Sequence, residues 1–84
     1  MAAMRVNVRF YASLSQLIGA REIELNLPEA AKIADLSRQL DETYPQHAAL
    51  MERVVFLVDG RGTTEQTELA DGARVMALMI LSGG

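Results

Sequence analysis

A single segment of this chain carries a helical stripe long enough to cover a sheet, and alternating segments lie on both sides of it. In "EAAKIADLSRQLDETYP", Ile33, Leu36, Leu40 and Tyr44 recur every three or four residues. Pro45 disfavours helical backbone at the residue before it, so the helix should close around Thr43 or Tyr44. No good cap precedes Ile33, which leaves its start open. Before the helix, "RVNVRFY" sets Val6, Val8 and Phe10 against Arg5, Asn7 and Arg9. "REIELNLP" sets Ile23, Leu25 and Leu27 against Glu22, Glu24 and Asn26, and stops at Pro28. Between these two strands, "ASLSQLIG" spaces Leu14, Leu17 and Ile18 as one short helical turn with Gly19 as its stop. After the helix come a loop with Leu50 and Met51, the strand and Asp59-Gly60 turn of "RVVFLVDGRG", and a polar stretch, "TTEQTELADG", turning at Asp71-Gly72. The last strand is "ARVMALMIL". This order predicts an α+β chain: a mixed sheet of four to five strands with one main helix packed on one face.

That last strand is apolar on both sides. Val75, Ala77, Met79 and Leu81 point one way, and Met76, Leu78 and Ile80 the other. One helix covers one face of a sheet, so the second set needs either loop cover, from residues such as Leu50-Met51, or a docked partner.

Composition removes several classes of function. The chain has 84 residues, enough for one domain, and half of them are apolar, so it should fold. Its net charge of −3, with basic residues scattered, argues against nucleic acid as a partner. There is no Cys, hence no disulfide, thiolate nucleophile or cysteine metal site, and the single His47, beside Pro45, is assigned no chemistry. Glu22 with Glu24, and Asp41 with Glu42, have the spacing of solvated faces, and no phosphate loop or metal-spaced cluster occurs. The start, "MAAMRVNVRF", is no signal peptide, and no run is long enough to cross a membrane, so the expected address is the cytoplasm.

What remains is the end, Ser82-Gly83-Gly84. At an average glycine frequency of about 7%, a terminal pair arises by chance in roughly 0.5% of chains. A terminal carboxylate is ionised at neutral pH. Two residues without Cβ let it thread a narrow channel with its carbonyl carbon unshielded. Gly84, with Gly83 before it, is therefore the candidate reactive group, and Leu81 and Ser82 complete a tail, 81–84, expected to be flexible and to enter another enzyme's active site.

On "VRFYASLSQLIG", "LP" before the helix, "ADLSRQLDETYP", "LVDG", "LADGARV" and the final "SGG", the whole chain resembles the ubiquitin-like sulfur carriers, in particular the small subunit of molybdopterin synthase (the MoaD family) and its thiamine-pathway relative ThiS. The resemblance implies a β-grasp fold and chemistry at Gly84. An E1-like enzyme of the MoeB or ThiF type would use ATP to adenylate the carboxylate, and a sulfur donor protein would convert it to a thiocarboxylate for molybdopterin synthesis. A large synthase subunit of the MoaE type is the further implied partner; the chain itself would bind no cofactor. By position from the end, Leu78 falls where the family makes an exposed apolar contact, so the implied partner-binding residues are Met76, Leu78 and Ile80. This chain departs from the family in having Met79, Ile80 and Leu81 where a Pro-Pro-Val-like stretch is usual, Ala73-Arg74 where an acidic pair is common, and Asp59 for Asn. Three alternatives stay open: a ubiquitin-like modifier joined through Gly84 to target lysines, a sulfur carrier for thiamine thiazole synthesis, and a β-grasp interaction module whose Gly-Gly is incidental. Lys32 is the only lysine, so lysine-linked chains of this protein could be of one type at most.

Overall fold

The computed structural model describes residues 3–79. Alternation sets the first hairpin. β1 (Ala3–Phe10) and β2 (Glu22–Pro28) pair antiparallel, and the apolar residues of β1 turn to the same side as Leu25 and Leu27. Between them lies α1 (Ser13–Ile18), closed by Gly19 at φ 86°, the left-handed geometry that glycine adopts without strain. Leu14 and Ile18 of α1 are buried as their spacing predicts, whereas Leu17 is 50% exposed. Leu17 therefore lies at the solvent edge of the face that Leu14 and Ile18 bury.

The main helix, α2, runs Ile33–Thr43, and its stripe of Ile33, Leu36 and Leu40 is buried. Its start is held by a residue the stripe does not reveal. The Asp35 carboxylate accepts a hydrogen bond of 2.8 Å from the Lys32 backbone N–H. This is one half of a capping box, since an ammonium group cannot accept the reciprocal bond. Tyr44 packs edge-on against Phe10, with ring centroids 6.2 Å apart. The expected loop beyond Pro45 is helical instead: a 3-10 turn at Pro45–His47 leads into α3 (Ala48–Met51). Met51 is buried and Leu50 packs against the core, so this segment closes the helix side of the sheet rather than its other face.

β3 (Val54–Val58) turns through Asp59 and Gly60, at φ 52° and 77°, into the two-residue β4 (Arg61–Gly62). Paired positive φ values are what a tight hairpin turn demands, and Asp-Gly is a sequence that tolerates them. The polar stretch that follows contributes more than a turn. Leu69 is buried, and its N–H bonds the Ala31 carbonyl. β5 (Arg74–Met79) then enters the middle of the sheet, whose order is β2-β1-β5-β3-β4. It runs parallel to β1 and antiparallel to β3.

Three hydrogen bonds fix that entry. Asp71 Oδ1 accepts from the Arg5 N–H at 2.8 Å, the Arg5 carbonyl accepts from the Gly72 N–H at 2.7 Å, and the Ala73 carbonyl accepts from the Asn7 N–H at 2.9 Å. β1 and β5 are thereby locked in register, with Val8 beside Val75 and Phe10 beside Ala77. Val6, Val8, Leu14, Leu36, Leu40 and Val75 are the largest fully buried side chains, all in one cluster between α2 and the sheet.

Candidate functional site

Parity along β5 decides what the sheet offers to solvent. Val75 and Ala77 are buried and Met79 packs against the core, so Met76 and Leu78 point to the opposite, helix-free face. The structure brings these two predicted partner-binding residues together with two that sequence reasoning missed. Register sets Val55 of β3 beside Leu78, and Leu57 beside Met76. All four are half-buried, and none belongs to the core cluster. The only sequence signal for Val55 and Leu57 is that "VVFLV" is apolar at every position, which leaves open which residues face which way. Ile80, the third predicted contact, and the tail residues Leu81, Ser82, Gly83 and Gly84 lie outside the described residues.

The tail has a defined point of departure. β1 and β5 run parallel, so both finish at the same end of the sheet, where α1 follows β1 and lies against β5. The Tyr11 N–H bonds the Ala77 carbonyl at 3.1 Å, holding that corner together. From Met79, the five residues 80–84 can reach at most about 18 Å when extended, by the standard rise per residue. That length bounds the distance of Gly84 from Met79, the residue of β5 that follows Leu78 of the apolar patch.

The polar part of the same face belongs to β1 and β2. Arg5, Asn7, Arg9 and Tyr11 of the first strand region run beside Glu22 and Glu24, and Arg74 stands next to Asn7. Among the described residues, no three His, Cys, Asp or Glu side chains converge on a metal position, and no buried polar side chain lacks a partner. No helix among them is long and apolar enough to cross a membrane. His47 is half-buried, with its ring centroid 6.4 Å from that of Tyr44.

A five-stranded mixed sheet of order β2-β1-β5-β3-β4, packed on one principal helix with its last strand in the centre, defines the β-grasp, ubiquitin-like class. The ThiS family model matches residues 8–84, and the chain belongs to that family. Among solved structures it is similar to a Pyrococcus furiosus protein provisionally assigned as molybdopterin converting factor subunit 1. That protein is 28% identical, with 93% of this chain and 99% of that one covered and a TM-score of 0.79. The Haloferax volcanii HVO 2177 protein is 27% identical, covering 98% and 88%, with a TM-score of 0.82. Small archaeal modifier protein 1 of Methanosarcina acetivorans, at 20% identity, full coverage of both chains and a TM-score of 0.81, shares the fold. No curated protein matches the chain.

Proposed function

We propose that this protein is a sulfur carrier of molybdopterin synthesis whose reactive group is the Gly84 carboxyl. The observation that supports this most directly is that the family match runs to residue 84, so Gly83 and Gly84 fall inside it. The likeness to the Pyrococcus furiosus protein favours the molybdopterin branch over thiamine thiazole synthesis.

In this reading a separate E1-like enzyme adenylates the carboxylate with ATP, releasing pyrophosphate. A carboxylate is a poor electrophile, and the acyl-adenylate gives its carbonyl carbon a good leaving group. Sulfide supplied through a donor protein then attacks that carbon, AMP departs with the bonding pair, the sulfur loses its proton, and a thiocarboxylate remains at Gly84. The large synthase subunit would accept the tail and direct the sulfur to its precursor. Met76, Leu78 and Ile80, extended by Val55 and Leu57, are the proposed docking surface for these partners, and Leu81 and Ser82 the channel-threading segment.

Co-expression with an E1-like enzyme and a sulfurtransferase should raise the mass of the intact chain by about 16 Da, one sulfur replacing one oxygen. An unchanged mass after such co-expression counts against the carrier reading. High-mass covalent adducts that vanish when Gly84 is removed support the modifier alternative instead.

Leu78→Glu tests the docking surface. Leu78 is half-buried and outside the core, so the free chain should lose no more than about 0.5 kcal/mol of stability. Association with the adenylating enzyme should weaken at least about tenfold, because a charge is forced into an apolar contact. A loss of stability above about 2 kcal/mol would instead mark Leu78 as a core residue.

A further inference from the structure

The helix-free face is divided into bands of different chemistry. β2 presents Glu22 and Glu24. β1 and the start of β5 present Arg5, Arg9 and Arg74. The rest of β5, with β3, presents Met76, Leu78, Val55 and Leu57. One row across the sheet crosses all three bands, from Glu22 through Arg9 and Met76 to Leu57.

The basic band runs against the chain's own net charge of −3. Arg5 is partly occupied, its Nε lying 3.7 Å from Glu24 Oε1. The Arg9 guanidinium lies over the Tyr11 ring, 5.5 Å from its centroid, which steadies the side chain without neutralising it. Among the described residues neither Arg9 nor Arg74 forms an ion pair, and both are exposed. Two unpaired guanidinium groups therefore border an apolar patch on the side facing β1.

We propose that Arg9 and Arg74 select the partner that docks on this face: the partner's apolar contact is bordered by carboxylates on the side that meets β1. This rests on the reading that a separate adenylating enzyme docks here, and adds the charge that enzyme must present. A polyphosphate partner fits the surface less well. It would have to pass Glu22, Glu24 and Asp59, and the apolar band offers a phosphate no partner. Exposed charges contribute little to affinity in water, but they steer approach and penalise a like-charged partner. The apolar band sets how long the complex lasts; the arginines set how fast and with whom it forms.

The experiment measures association and dissociation rates of the full chain with the E1-like adenylating enzyme of the same organism, without ATP, across salt concentrations. For Arg9→Gln combined with Arg74→Gln, association should slow roughly five- to tenfold at about 20 mM salt, and by less than about twofold at about 0.5 M. Dissociation should change little. Glu22→Gln combined with Glu24→Gln should act in the opposite direction, speeding association roughly two- to threefold at low salt, because like charges no longer repel the partner's carboxylates. Opposite signs are the signature, and a merely structural role would not produce them.

Equal rates for all three chains at low salt, or faster association of the arginine variant, overturn the proposal. So does displacement of the enzyme by a single-stranded RNA oligonucleotide, which would assign the arginines to phosphate. Absence of any association by the unaltered chain overturns the docking face with it. Association without subsequent ATP-dependent loading overturns the carrier reading alone.

Discussion

Deleting Gly84 abolishes thiocarboxylate formation: this is the largest functional effect expected, and intact-mass measurement after co-expression with the activating and sulfur-donating enzymes checks it. Removing one residue withdraws the carboxylate by about 3.3–3.6 Å along an extended tail. Misplacing a reacting group by about 1 Å can already cost on the order of a hundredfold in rate, so loading should fall by at least that much. The globule should not notice. Residue 84 lies beyond the last described strand, and its removal should leave the thermal midpoint unchanged, since loss of a terminal residue outside the core costs stability little. Loading at the rate of the full chain would show that the reactive group is elsewhere, and the carrier reading would fall with it.

Leu36→Ala is expected to have the largest effect on stability. Leu36 is fully buried on the inner face of α2, in the cluster with Val6, Val8, Leu40 and Val75. Truncating a leucine at such a site removes its transfer free energy and leaves a cavity that the neighbours only partly fill, costing about 3 kcal/mol. For a domain of this size that corresponds to a fall in melting temperature of roughly 12–24 °C, measurable by circular dichroism. A fall of only a few degrees would mean that α2 is not the lid of the core. The contrast with Leu78→Glu is informative: a charge on the open face should cost less than a small apolar residue beneath the helix.

The parts of the fold that can be read from sequence are those governed by local periodicity. Alternation in "RVNVRFY" and "REIELNLP" assigns residues 5–10 of β1 and 22–27 of β2 to their sides, though it misses the buried Met4, and the Ile33-Leu36-Leu40 stripe assigns α2 to the core. The two faces of β5 follow from parity alone. What stays hidden depends on contacts far apart in the chain. Register between β3 and β5 places Val55 and Leu57 beside Leu78 and Met76, and no local pattern in a uniformly apolar strand encodes it. Leu69 reads as one apolar residue in a polar stretch until the Ala31 carbonyl is seen to hold it. Leu50-Met51 reads as a loop because a four-residue helix spans barely one turn, and a period needs at least two turns to show. The arginine band escapes notice for the same reason as Val55 and Leu57. Arg9 and Arg74 are 65 positions apart by number and become neighbours only through the parallel pairing of β1 and β5.

That pairing also bears on how the molecule comes into being. Translation delivers β1 first and β5 last among the described strands, yet the two lie side by side in the middle of the sheet. A nascent polypeptide cut short before residue 74 holds a β1–β2 hairpin and a β3–β4 hairpin with no strand to join them. Folding must therefore await β5, and it should be slowed by that requirement, because the β1–β5 pairing joins Asn7 to Arg74 and Phe10 to Ala77 across most of the described residues. Prematurely terminated copies that lack β5 therefore cannot assemble the apolar strip that Met76 and Leu78 form with Leu57 and Val55.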